Sequence, residues 1–532
     1  RQEQSEDIFR YAAGGFADFS RLASSDAKMW SDIFVANSSS VEKVLDDYIR
    51  SLLEFREVIR ERDRESLKES FQRAKQTREN FISQHFQPKK QVEMTSNQRN
   101  FTVQPGGSVA GSIRVAGDKS ISHRAIILAS IANGITRVSG FLEGEDALNT
   151  VAAFREMGVT IVGPENGELT IYGVGKLGLQ APRKPLYMGN SGTAMRLLAG
   201  LLAAQNFDSV LTGDESLNLR PMNRIAQPLR EMGASIETGD GGTPPLAITG
   251  SALNGICYVM PMASAQVKSC LLLAGLYAEG ETKISEPAPC RDHTERMLQG
   301  FGYAVDVDSA QNSSSLAGGG ELAASEIDVP ADISSAAFFL VAAAITPGSD
   351  LVLRHVGVNP TRIGVLNILR DMGANIEASN ERLVGGEPVA DLRVRYQALR
   401  GITIAEDQIP LAIDEFPVLF IAAACAEGET LLRGAEELRV KESDRIDAMA
   451  PGLEQLGVKF ETFDDGIKIL GGRLGGGSVD SFGDHRIAMA FAVAGLRAAS
   501  PITIANCANV ATSFPNFVEL AREVGMLLTE AG

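Results

Sequence analysis

A short phrase recurs six times between residues 109 and 532. Each copy closes a helix on a glycine and runs on into an apolar residue. The copies are Arg155-Glu156-Met157-Gly158-Val159, Arg230-Glu231-Met232-Gly233-Ala234, Gln299-Gly300-Phe301-Gly302-Tyr303, Arg370-Asp371-Met372-Gly373-Ala374, Glu454-Gln455-Leu456-Gly457-Val458 and Arg522-Glu523-Val524-Gly525-Met526. Glycine after a helix supplies the left-handed cap from which a chain turns into a strand. Six copies at intervals of roughly seventy residues are an internal repeat, and a repeat constrains architecture more than any single motif does. Each copy also has an earlier helix of small and aliphatic residues, as at 125–130 and 338–344. Such helices are apolar on nearly every face and belong inside a domain. The helix leading to the glycine, as at 225–232 or 363–372, is amphipathic and belongs outside. Each unit therefore reads strand–helix–strand–helix–strand, an α/β unit. Six units predict two domains of three, split near residue 325, where 313–320 is rich in Ser and Gly.

Composition narrows the function classes. A net charge of -17 over 532 residues opposes wholesale nucleic-acid binding, so any anion site must be built from locally gathered cations. No apolar run approaches the ~18 residues of a membrane span. The five Cys are scattered without CxxC, which suits a reduced cytoplasmic setting and argues against disulfides or structural zinc. The five His include no HExxH, so no metal is expected. The chain opens on Arg1 without a signal-like apolar stretch, as expected of a piece of a longer cytoplasmic protein.

The first hundred residues have a different texture. Apolar residues at 41, 44, 45, 48, 49, 52 and 53 keep helical spacing. Residues 60–78 are charged throughout with a thin apolar stripe, and 87–108 read as a polar linker bounded by Pro and Gly. The stretch Ala12-Ala13-Gly14-Gly15-Phe16-Ala17-Asp18-Phe19-Ser20-Arg21, with 24–34 after it, resembles the helical C-terminal dimerisation region of prephenate dehydrogenases. That resemblance covers roughly residues 5–85 and implies a homodimer through these helices. In that family the position matching Arg21 helps to bind substrate. The strand–GxGxxG–helix of a nucleotide-binding half is missing, so residues 1–86 are expected to be a non-catalytic dimerising segment left from a fused dehydrogenase.

The six inner helices open with polar residues: Asp118-Lys119-Ser120, Asn190-Ser191-Gly192-Thr193, Ser264-Ala265-Gln266, Asp332-Ile333-Ser334, Asp414-Glu415 and Asp484-His485-Arg486. Each alone is an ordinary N-cap. Together they mean more, because parallel helices put their N-termini on one face. Two such faces opposed would focus positive potential into one cleft. Lys119, Arg124, Arg196, Arg220, Arg291, Lys441, Arg445 and Arg486 supplement the dipoles, and the set points to substrates carrying several negative charges. Asp414 and Glu442 among these cations are either structural ion pairs or proton-transfer groups with shifted pKa. His123, His293 and His485 read as positioning residues. GxSxG and Walker signatures are missing and no strand–GxGxxG–helix unit is evident, so hydrolase, kinase and dehydrogenase readings have no support.

The motifs 117–124, 189–196, 262–269, 437–445 and 483–489 together resemble the 3-phosphoshikimate 1-carboxyvinyltransferases, or EPSP synthases, over about residues 100–532. The resemblance implies the two-domain α/β enolpyruvyl transferase fold of six βαβαββ repeats, three per domain. The domains would be 109–118 with 326–532, and 119–325, the first strand crossing over to join the second half of the chain. It implies enolpyruvyl transfer from phosphoenolpyruvate to the 5-hydroxyl of shikimate 3-phosphate, without cofactor or metal. Lys119, Ser120 and Arg124 would grip both substrates. Ser264, Ala265, Gln266 and Arg291 would hold shikimate 3-phosphate, with Asp414 and Lys441 on its hydroxyls. Gly192, Arg220, Arg445 and Arg486, with Lys119, would clamp phosphoenolpyruvate. Asp414 matches the proton acceptor of that family, and Glu442 and Lys119 its proton-transfer partners. Thr512 stands where many members carry a phosphate-binding Lys, and Ala265 replaces a Ser; both resemble the glyphosate-tolerant branch, whereas Gly192 does not. The nearest rival is enolpyruvyl transfer to UDP-N-acetylglucosamine. That family uses a loop Cys as acid, for which Cys290 is the one candidate.

Overall fold

The computed structural model describes residues 99–531, together with Phe55, Arg56 and Arg60 of a helix. Apart from those three, the helical segment expected over 1–86, Arg21 included, lies outside the described residues. So does the linker up to residue 98.

Six inner helices carry the expected openings: α1 (Lys119–Ser130), α2 (Gly192–Ala203), α3 (Ala265–Gly275), α4 (Ile333–Ile345), α5 (Phe416–Ala424) and α6 (His485–Gly495). Every residue of α4 and α5 is buried, as their all-round apolar composition requires. Small residues let these helices approach closely. A Cβ at Gly200 of α2 would stand 2.1 Å from the carbonyl oxygen of Cys270 in α3. The outer helices, such as Asn223–Glu231 and Gly364–Asp371, bury one side only. The six repeat glycines, Gly158, Gly233, Gly302, Gly373, Gly457 and Gly525, have φ of 87, 97, 78, 95, 76 and 100°. All six are in the left-handed conformation that the repeated phrase encodes.

The described strands form six small sheets, five of four strands and one of three. The pattern is shown by Cys257–Val259, Glu281–Ser285, Asp306–Asp308 and Ser313–Ala317. The first two pair in parallel, and the last lies antiparallel between the second and third. The repeat is broken reciprocally at one point. Ala110–Ile113, which opens the first repeat, pairs in parallel with Asp350–Gly357 of the fourth. Glu326–Asp328, which opens the fourth, pairs in parallel with Asn133–Ser139 of the first. The two connecting segments touch as they cross. Gly117 and Ala331 form an antiparallel bridge. Asp118 N–H donates to the Pro330 carbonyl at 2.8 Å and Asp332 N–H to that of Ala116 at 2.9 Å. A Cβ on Gly117 would stand 1.9 Å from the Gly140 carbonyl oxygen, so only glycine fits this crossing.

Two hydrophobic cores result. One gathers residues from 101–115 and 331–528, the other from 121–329. Two expectations need correction. Residues 100–103 are not linker: Asn100–Val103 is an inner strand, antiparallel to both Ile502–Ala505 and Leu528–Ala531. Phe101 and Val103 bury alternate positions there, but four residues are too short an alternation to stand out in a polar stretch. The Ser-rich 313–320 is no boundary either. Ser313–Ala317 is a largely buried strand, in which Ser314 donates to Glu295 Oε1 at 3.0 Å. Since Glu326–Asp328 still joins the sheet of the first repeat, the chain changes lobe at 329–331 rather than 325.

Candidate active site

One cavity of about 590 Å³ lies where the two lobes face each other, and all six inner helices open onto it. Lys119 and Ser120 come from α1, Thr193 from α2, and Ala265 and Gln266 from α3. Asp332 and Ser334 start α4, Asp414 precedes α5, and His485 and Arg486 start α6. Five openings are closed by a cap side chain: Asp118, Ser191, Ser264, Asp332 and Asp484 each accept a first-turn N–H. Six converging helix dipoles and the cations beside them suit a site for anions.

The lobes meet across this cavity through ion pairs. Arg291 contacts Asp414, Arg220 lies 3.4 Å from Glu442, and Arg224 lies 3.2 Å from Glu437. Of the residues expected at the site, Lys119, Ser120, Ser264, Ala265, Gln266, Arg291, Asp414, Lys441, Glu442, Arg220 and Arg486 line it. Arg124, Arg445 and Gly192 stand behind it. Arg124 is 3% exposed and donates to Thr294 Oγ1 and Ser269 Oγ at 2.7 Å each and to the Ser120 carbonyl at 2.9 Å. It thus holds the α1 start in place from below. Arg445 bonds Asp484 at 2.9 Å and Glu442 at 2.7 Å, and lies 3.4 Å from Asp414. A Cβ on Gly192 would stand 3.2 Å from Arg196 Nη1 and 3.3 Å from Arg220 Nη1, so the glycine leaves room for both guanidiniums. Thr512 is buried, donates to the Asn509 carbonyl at 2.7 Å and brings no charge to the cavity.

Burial alone would raise the Asp414 carboxyl, but Lys441, Arg291, Arg486 and Arg445 outweigh it and hold it well below its usual range. Glu442 is likewise held well below its range: Arg445 and Arg220 overcome the cost of burial. Asp146, which contacts Lys119, goes the other way, because burial outweighs the Lys119 charge and Glu442 adds repulsion. The cavity thus neutralises its cations with its own carboxylates. Asp146, Asp332, Arg224, Arg362 and Glu415 belong to this network and were not singled out as site residues from sequence. Asp332 and Glu415 stand in the polar openings of α4 and α5, whereas Asp146, Arg224 and Arg362 lie in outer helices or loops whose composition carries no local signal. Cys290 lines the cavity, but its thiol donates to Glu286 Oε2 at 2.6 Å and burial pushes it up.

His123 and His485 are buried in this region. His123 Nδ1 lies 2.9 Å from Thr150 Oγ1 and Nε2 lies 3.2 Å from Ser191 Oγ. Burial, with Lys119 and Arg124 nearby, lowers His123 to about 3. Burial, aided by Lys119 and Arg486, does the same to His485 against the pull of Asp484 and Glu442. Both rings are neutral in the folded protein near pH 7, whereas an unfolded histidine takes a proton below about 6.5. Folding stability should therefore fall as pH drops through 6.5, by about 2 kcal/mol per ring at pH 5. Thermal melting at pH 7.5 and pH 5 measures this loss, and His123→Gln should lose less than the parent. Equal acid sensitivity in the two proteins would refute the assignment.

The comparisons agree with this geometry. Residues 103–520 match the family model described as EPSP synthase (3-phosphoshikimate 1-carboxyvinyltransferase), and residues 1–73 match the dimerization domain of prephenate dehydrogenase. A 3-phosphoshikimate 1-carboxyvinyltransferase of Methylococcus capsulatus is 66% identical over 427 residues, which cover 80% of this chain and 97% of that protein. One from Alkalilimnicola ehrlichii is 64% identical over 431 residues, covering 81% and 96%. The solved EPSP synthase of Acinetobacter baumannii superposes with a TM-score of 0.75 at 58% identity, covering 82% of this chain and 100% of that one. The enolpyruvyl transferase NikO of Streptomyces tendae shares the fold at 16% identity, with a TM-score of 0.67 and coverage of 82% and 99%. With the six-fold repeat, the two lobes and this cavity in place, the chain belongs to the EPSP synthase (3-phosphoshikimate 1-carboxyvinyltransferase) family.

Proposed function

We propose that the chain transfers the enolpyruvyl group of phosphoenolpyruvate to the 5-hydroxyl of shikimate 3-phosphate, releasing phosphate. The observation that carries the reading is the convergence of six helix N-termini, with cations from both lobes, on a cavity that also holds Asp414 and Glu442. The two substrates bring two phosphates and two carboxylates, and this charge distribution suits them. Ser264, Ala265, Gln266 and Arg291 would hold shikimate 3-phosphate, while Arg220 and Arg486 would take phosphoenolpyruvate. Lys119 lies at the start of α1, in the wall of the same cavity.

The chemistry is an addition followed by an elimination. The 5-hydroxyl oxygen bonds to C2 of phosphoenolpyruvate, its proton leaves to Asp414, and C3 gains a proton. Phosphate then leaves C2 and a proton leaves C3, which restores the double bond. Asp414 is ionised and ready to accept. Incoming anions compete with it for Lys441, Arg291 and Arg486, which would raise its affinity for a proton when one must be taken. Glu442 and Lys119 would serve the proton at C3. Phosphate release from phosphoenolpyruvate should require shikimate 3-phosphate. Release that required UDP-N-acetylglucosamine instead would overturn the reading, and the commitment of Cys290 to Glu286 does not favour it.

We further propose that residues 1–86 form a non-catalytic dimerising segment, on the strength of the match over 1–73. Light scattering on the full chain and on one lacking residues 1–90 should differ by more than the deleted mass. Equal subunit numbers would reject it.

A further inference from the structure

In the cavity wall, one guanidinium joins three carboxylates that the proposed reaction does not use. Arg362 precedes the outer helix Gly364–Asp371 and is 3% exposed. Its Nη1 lies 3.3 Å from Asp118 Oδ2. Its Nη2 lies 3.3 Å from Asp332 Oδ1, donates to Ser334 Oγ at 2.6 Å and lies 3.9 Å from Glu415 Oε1. The two aspartates are not arbitrary neighbours. Asp118 caps α1 and Asp332 caps α4, the first inner helix of each lobe, and both sit where the connecting segments cross. One planar fork therefore bridges the caps of both lobes.

The bridge is wired to the reacting region on two sides. Asp332 Oδ2 accepts the backbone N–H of Lys119 at 3.3 Å. Glu415 Oε1 lies 3.6 Å from Arg486 Nη1. Asp118 and Asp332 are also like charges in a buried place, and they split accordingly. Arg362 and its other partners overcome burial to lower Asp118, while burial and Asp118 itself raise Asp332. Beside the backbone bonds of the crossing, Arg362 is a side chain that reaches both caps.

We propose that Arg362 is a positioning residue: by clamping the helix caps of both lobes it fixes where Lys119 stands in the closed cavity. The role given to Lys119 rests on the reaction proposed above. The clamp itself does not, and the experiment separates them.

Arg362→Lys is the informative variant. It keeps the charge that balances the buried carboxylates, so the protein should fold, but a point charge cannot bridge both caps. Two readouts apply. In steady-state phosphate release, kcat should fall ~100-fold, the scale expected of a catalytic group displaced by about 1 Å, with KM for both substrates changed less than about threefold. In amide exchange without substrate, residues 116–119 and 331–334 should exchange ~10-fold faster than in the parent, while α2 and α3 are unchanged. A merely structural role would lower the melting temperature and leave kcat per folded molecule intact. A kcat within threefold of the parent, or unchanged exchange at the crossing, overturns the proposal. If the parent itself shows no release dependent on shikimate 3-phosphate, the proposed reaction falls. The exchange readout then still decides the clamp.

Discussion

Replacing Lys119 by alanine should lower kcat/KM by about three orders of magnitude or more while the protein still folds. Lys119 stands at the first turn of α1, on the cavity wall, in contact with Asp146. Its loss removes an anion clamp and a proton-transfer group together, and each such contribution is commonly worth 10²-fold or more. The folding cost is smaller. Asp146 would lose its cation in a place where burial already raises its pKa, so it would protonate further and remain as a neutral acid. That leaves one buried polar group short of a partner, at about 1–3 kcal/mol. Phosphate release and a thermal melt on one preparation test both halves. A near-normal rate would refute the role.

Glu442→Gln should show an opposite split between binding and chemistry. Glu442 lies 3.4 Å from Arg220 and 2.7 Å from Arg445, and Arg220 is a residue offered to phosphoenolpyruvate. The amide keeps the shape but gives up both the charge and the proton chemistry. We expect kcat to fall by about 10²–10⁴. KM for phosphoenolpyruvate should stay level or drop, because the freed guanidiniums face less competition for the substrate's anions. A rise in that KM with kcat intact would make Glu442 an organiser of Arg220 rather than a proton carrier.

How far the sequence announces this site depends on the type of signal each residue leaves. The repeat is legible because a helix-ending glycine must be left-handed, and all six are. The inner helices are legible because a helix apolar on every face has nowhere to go but inside. Their polar openings then locate the cavity, since N-termini of parallel helices share a face. Arg362 and Asp146 leave no such trace: each is a single charge in ordinary surroundings, and only the folded chain brings it to its partners. Arg124 and Arg445 show the converse. Their motifs mark them, yet both are buried behind the wall and act on the residues that line it. The strand Asn100–Val103 is missed for a third reason, since its partners lie some four hundred positions away and nothing local predicts such pairing.

That strand has a consequence for how the protein is made. Phe101 faces Ile504 on one side and Glu530 on the other, so the first strand of the lobe waits for the last. A chain emerging from the ribosome can finish the lobe built from 121–329 while the remaining two hundred residues are still unsynthesised. The other lobe must hold Phe101 and Val103 unpaired until residues 502–531 have been made. The earlier lobe then serves as a preformed surface on which the later one closes.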